Sequence, residues 1–97
     1  WNMVAEEEIA QAWPAFDPSK PGTFFLDPLD GTTNFVHGFP MFCVSLAAAW
    51  EAHLTAAVVL SPILKDTYVA RKGRGALLNG KKIRVSGTRK LSEALLT

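Results

Sequence analysis

TFFLDPLDGTTNFVH, residues 23–37, decides how this chain is read. Thr23, Phe24, Phe25 and Leu26 are apolar or β-prone, so they form a strand, and Asp27 falls where that strand ends. Asp27 and Asp30 run straight into Gly31, Thr32 and Thr33. Two carboxylates three residues apart can share a divalent cation, while a Gly-Thr-Thr turn opening a helix presents N–H donors to an anion. Thr32 or Thr33 is placed to cap a short helix through Asn34, Phe35, Val36 and His37, which Gly38 and Pro40 then end. Asp, Pro, Gly and Thr are also ordinary turn formers, so this string taken alone reads equally as a plain strand-to-helix connection.

Upstream, Met3, Val4 and Ala5 end a short strand with Glu6 at its exit, and residues 7–13 make one helical turn that Pro14 stops. Residues 14–22 carry three prolines and form a loop, with Asp17 as a turn residue, that lets Glu6 approach Asp27. Downstream, residues 41–50 and 54–60 read as strands apolar on both faces, which implies cover on both faces, with a turn over 51–53. A third strand over 65–70 leads to a bend at Gly73 and Gly75, and Asn79-Gly80 is a two-residue hairpin signal. Ser92 opens a short helix or leads into another strand. The result is an α+β chain dominated by an antiparallel meander.

The chain has 97 residues, 48% of them hydrophobic, which is enough for one small domain or part of one. No run approaches about 20 apolar residues and no basic, apolar leader opens the chain, so a soluble, cytoplasmic protein with no membrane partner is expected. Cys43 is the single cysteine, cannot form an internal disulfide, and reads as a buried structural thiol in a reducing compartment. The net charge is +1, but six of nine acids lie in the first thirty residues and nine of ten bases lie between Lys65 and Lys90. An acidic end suits a cation site. The basic end alternates with glycine and strand residues and lacks an aromatic stacking series, so it reads as a solvated hairpin, and no nucleic-acid partner is expected.

The longer string DPLDGTTNFVHGFP, residues 27–40, resembles the signature of the inositol monophosphatase family of magnesium-dependent, lithium-sensitive phosphatases. Ala5, Glu6 and Glu7 are similar to that family's upstream acidic segment, and MFCVSLAAAW, VVLSP, YVARKGRGA and NGKKIRVS follow in its order. The resemblance implies a layered sugar-phosphatase fold, of which residues 1–97 are part of the N-terminal α+β domain, mainly its sheet plus the active-site turn. It also implies two Mg²⁺ ions: Glu6, Asp27 and the Leu29 carbonyl would hold one, and Asp27 and Asp30 a second with an aspartate further downstream. Thr32 matches the water-activating threonine, working with an upstream carboxylate. Asp30 and Thr32 are thus the catalytic candidates, and Asp30, Gly31 and Thr32 the substrate-binding ones. His37, Cys43, Ser45 and Ser61 are assigned no chemistry.

The implied reaction is hydrolysis of a small phosphate monoester, inositol monophosphate first, by in-line attack of metal-activated water, in a protein that is a homodimer when full length. Nucleotide 3′-phosphatases, histidinol phosphatases and fructose bisphosphatases share DPLDGT, and a non-catalytic scaffold remains a further alternative. The family's downstream Trp-Asp motif and upstream activating carboxylate fall outside these residues, and both ends of the chain lack a cap or breaker. An internal fragment that is inactive by itself is therefore expected.

Overall fold

The computed structural model describes residues 1–5, 17 and 19–95. Seven strands form one sheet in sequence order: β1 (Asn2–Ala5), β2 (Gly22–Asp30), β3 (Cys43–Trp50), β4 (His53–Ser61), β5 (Asp66–Arg71), β6 (Gly75–Leu78) and β7 (Lys81–Ile83). β1 pairs parallel to β2, and every later pairing is antiparallel. A single short helix, α1 (Thr32–Val36), joins β2 to β3, and Leu91–Glu93 forms one turn of 3-10 helix. Ser92 lies inside that turn and makes no capping bond. The helical turn expected over residues 7–13 and the candidate ligand Glu6 lie outside the described residues.

The strand expected to end near Asp27 continues to Asp30, and the reason is a bulge. Asp27 stands opposite Ser45 and Asp30 opposite Cys43, so three steps along β2 match two along β3. Pro28 cannot donate to the ladder, and a proline inside a strand is tolerated at such an irregularity. The β3–β4 connection is tighter than expected. It uses only Glu51 and Ala52, both in the left-handed region at φ 47° and 62°, which is the backbone that a two-residue hairpin needs. Asn79 and Gly80 make the expected hairpin at φ 48° and 80°. Asn79 also accepts from Thr67 N–H at 2.8 Å and donates to Asp66 at 2.8 Å, tying this turn to the start of β5.

The described residues leave both faces of the sheet largely open. Ala5 and Ala49 are its only buried hydrophobic residues among those described. Phe25 and Leu54 stand on one face beside Thr23 and Ala49, around a shallow hollow of about 680 Å³. On the other, Trp1 stacks on Phe24 with ring centroids 4.8 Å apart and tilts against Trp50 at 5.3 Å. A side chain at Gly22 would collide with the Trp1 indole. The accessible surface is 8037 Å², whereas a compact 10.6 kDa protein exposes about 5,500 Å². The cover that apolar strands require is therefore not supplied by the described residues.

Candidate functional site

The bulge sets the site. On a regular strand, residues three apart point to opposite faces. The extra residue of β2 cancels that, because Ser45 and Cys43 are two apart and share a face, so Asp27 and Asp30 are brought to one face as well. Both line a cavity of about 310 Å³ together with Leu29, Gly31, Thr32, Thr33 and Asn34. Larger hollows lie elsewhere along the sheet, one of about 530 Å³ beside Ala56 and Ala70, but no carboxylate lines that one.

Within the turn the polar atoms are already ordered. Asp27 Oδ1 accepts from Leu29 N–H at 3.0 Å, and no hydrogen bond among the described residues engages Oδ2. The Thr32 hydroxyl donates to the Leu29 carbonyl at 2.9 Å. That carbonyl has a second lone pair, and the hydroxyl keeps two as acceptors. The expected threonine cap does not form, because the Thr32 hydroxyl is spent backward on the bulge. Helix α1 instead begins at Thr32, with Gly31 as its cap at φ 90° and no side-chain capping bond. Only glycine adopts that conformation readily, and a Cβ there would come within 2.9 Å of the Met41 carbonyl oxygen.

Cys43 is half-buried rather than buried, and its thiol donates to Asp30 Oδ2 at 3.7 Å. Burial, and then the Asp30 charge and hydrogen bond, push its pKa up, which is the opposite of what a nucleophile needs. His37 caps the C-terminal end of α1 through its backbone, and His53 begins β4, both exposed. Ser45 faces Asp27 across the β2–β3 ladder. Asp17 is the turn residue expected: Ser19 donates to its carboxylate through Oγ at 2.6 Å and N–H at 3.0 Å, which holds its pKa down.

The turn thus gathers two carboxylates, one half-free carbonyl and one hydroxyl, all hard oxygen donors of the kind Mg²⁺ and Ca²⁺ take. Among the described residues no group of three or more His, Cys, Asp or Glu side chains is poised around one point. The convergence of Glu6 with Asp27 and Asp30 falls outside the described residues. Asn34 is a site residue that the sequence did not reveal. Its amide donates to the Met41 carbonyl at 2.7 Å, and no local spacing rule marks a partner seven residues away across a loop.

A model of the inositol monophosphatase family matches residues 2–97. Inositol monophosphatase 2 of Solanum lycopersicum is 47% identical over 95 residues, covering 98% of this chain and 36% of that protein. The Nus factor SuhB of Pseudomonas aeruginosa is 54% identical over 71 residues, 73% of this chain and 26% of that protein. In structure, the extragenic suppressor protein suhB from Bartonella henselae superposes with a TM-score of 0.84 at 33% identity, over 96% of this chain and 37% of that one. An IMPase/NADP phosphatase solved with NADP and Ca²⁺ gives 0.81 at 28% identity, over 96% and 35%. The chain spans about a third of the length of most of these relatives. No helix among the described residues is long and apolar enough to cross a membrane.

Proposed function

Because this chain belongs to the inositol monophosphatase family, we propose that it carries the metal-binding turn of a magnesium-dependent phosphomonoesterase, with inositol monophosphate as the substrate. The observation that carries this reading is the bulge that gathers Asp27, Asp30, the Leu29 carbonyl and the Thr32 hydroxyl around one cavity. Asp27 and Asp30 would hold Mg²⁺ through their carboxylates and Leu29 through its carbonyl, with Glu6 as a further ligand. When bound, Mg²⁺ neutralises the phosphate and stabilises charge on the departing alkoxide.

The chain's own groups would then do the rest. Since a carbonyl can only accept, the proton of Thr32 Oγ1 is committed to Leu29, and any water beside that hydroxyl must donate to it. This would turn a water's lone pair away from Thr32, as in-line attack on a phosphate held beside it requires. The N–H groups of Gly31 and Thr32 are the candidate donors to the phosphate oxygens. The segment would be part of the N-terminal α+β domain of the longer enzyme.

A second reading is a phosphatase acting on a nucleotide phosphate, favoured by the likeness to an IMPase/NADP phosphatase solved with NADP. Phosphate release by the full-length protein, measured with Mg²⁺ titration on inositol monophosphate, NADP and a nucleoside 3′-phosphate, separates the two. Turnover of inositol monophosphate at the highest kcat/KM supports the first reading. Turnover of none of them, with the protein folded, points to a scaffold.

A further inference from the structure

Helix α1 has five residues, no buried side chain and no side-chain cap. Isolated helices shorter than about 12 residues are marginal, so something outside the helix must hold it. Its own bonds from Phe35 N–H to the Gly31 carbonyl and from His37 N–H to the Thr33 carbonyl measure 3.0 and 3.2 Å. The shorter ties run from Asn34 to the loop that leads into β3. The Asn34 side-chain amide donates to the Met41 carbonyl at 2.7 Å, and the Asn34 backbone carbonyl accepts from Phe39 N–H at 2.8 Å. Met41 N–H donates back to the Phe39 carbonyl at 2.8 Å, closing the loop on itself. The Met41 carbonyl is also the atom that a Cβ at Gly31 would meet at 2.9 Å, so the Asn34 bond lands where the turn and the loop leave no room for a side chain. Phe35 meets Phe42 edge to face at 5.1 Å just beyond.

We infer that Asn34 is a positioning residue that ties the Gly31–Thr32 turn to the loop entering β3, two residues before that strand begins, and so holds the Thr32 hydroxyl in register with Asp27 and Asp30. The inference rests on the phosphatase reading of that turn. Strand β3 is paired on both sides, to β2 and to β4, and is therefore a rigid reference. Asp27 and Asp30 belong to β2 and are placed by the ladder without Asn34, whereas Thr32 opens α1 and has one tie to β2, its hydroxyl bond to the Leu29 carbonyl, with the rest of its placement set by the helix that Asn34 anchors. Displacing a reacting group by about 1 Å costs on the order of 10² in rate.

Full-length protein bearing Asn34→Ala or Asn34→Asp provides the test. Aspartate keeps the shape but presents no donor to the Met41 carbonyl. The expected result is a kcat lower by about 10- to 100-fold, with the Mg²⁺ concentration for half-maximal activity within about twofold of wild type. Amide hydrogen exchange, read without substrate, should be faster by about tenfold or more at Phe35 and His37 in both variants. Asn34→Gln, which retains an amide, should recover part of both. Wild-type exchange in the alanine and aspartate variants overturns the inference, as does a loss of Mg²⁺ affinity in proportion to kcat, which marks a general structural role. A wild-type protein that releases no phosphate overturns the phosphatase reading instead, and the exchange comparison still decides the role of Asn34.

Discussion

The Thr32 hydroxyl donates its one proton to the Leu29 carbonyl at 2.9 Å, so the turn closes on itself before any ligand arrives. The same proton cannot also go to an upstream carboxylate. If such a carboxylate activates Thr32, this bond must give way, which makes it the point where structure and mechanism are coupled. Thr32→Ser keeps the hydroxyl and is expected to retain full-length kcat/KM within about tenfold, whereas Thr32→Val should lower it by about 10² or more. Steady-state phosphate release measures both, and a fully active valine variant would remove Thr32 from the chemistry.

Asp27 offers a way to separate charge from fold. Its Oδ1 accepts from Leu29 N–H, a role that an asparagine oxygen can take over. Asp27→Asn in the full-length protein should therefore leave the melting temperature nearly unchanged while cutting turnover by about 10² or more. Asp30→Asn is expected to abolish turnover, and Leu29→Ala to be milder, since only the backbone oxygen of Leu29 is involved. Mg²⁺ titrations of the three variants would show the order, and an active Asp30→Asn enzyme would contradict the assignment.

Cys43 is predicted to be a sluggish thiol. Burial and the neighbouring Asp30 charge raise its pKa, so at neutral pH its thiolate fraction lies below that of a free cysteine. The linkage sign follows: the folded state holds this proton more tightly than the unfolded one, so the contribution to stability is present below the usual thiol pKa and lost as pH rises through the raised value. Alkylation rates against pH, with metal chelated, should rise at higher pH than for a small thiol. Asp30→Asn should move the curve back down. Fast alkylation at neutral pH would show that the Asp30 contact is absent in solution.

The strand order and hairpins were legible because they rest on short-range signals: β-branched and apolar runs for β3 and β4, and Asn79-Gly80 for the last hairpin. The common face of Asp27 and Asp30 was not, since a period of two puts residues three apart on opposite sides. Pro28 was the clue, as a residue that cannot donate to a ladder it interrupts. The Glu51-Ala52 turn was harder still, because neither residue favours positive φ, and the turn is imposed by the pairing of β3 with β4 rather than by its own sequence. Asn34 was hidden for a similar reason: its partner is supplied by tertiary structure.

That imposed turn predicts a stabilising substitution. A left-handed non-glycine residue costs about 1–2 kcal/mol. Ala52→Gly relieves that at φ 62°, against about 0.4–1 kcal/mol of added unfolded-state entropy. The net gain is about 0.5 kcal/mol, a rise of about 1–2 °C in the melting temperature of the full-length protein. Gly80→Ala is the converse control, since a Cβ there meets nothing within 4 Å and only the φ of 80° opposes it. A lower melting temperature for Ala52→Gly would mean that the turn has another shape in solution.

The last expectation concerns these 97 residues alone, which should not hydrolyse inositol monophosphate measurably even with ample Mg²⁺, although the full-length protein should. The proposed ligand set would include carboxylates outside this segment, as the family resemblance implies, and each missing ligand or activating partner would cost about 10- to 100-fold or more. The sheet raises a separate obstacle. The chain exposes about 2,500 Å² more than a compact protein of its mass, and its radius of gyration is 16.2 Å where about 12.5 Å is usual for this length. Phe25, Leu54, Leu60 and Tyr68 remain in contact with water on strands that ordinarily sit beneath other layers. Exposed apolar faces of that extent drive association, so the isolated segment should also sediment as oligomers or aggregate. Phosphate release and sedimentation of the purified segment, beside the full-length protein, measure both. Monomeric behaviour with Mg²⁺-dependent turnover near the full-length rate would show that the catalytic groups lie elsewhere than in the bulged turn.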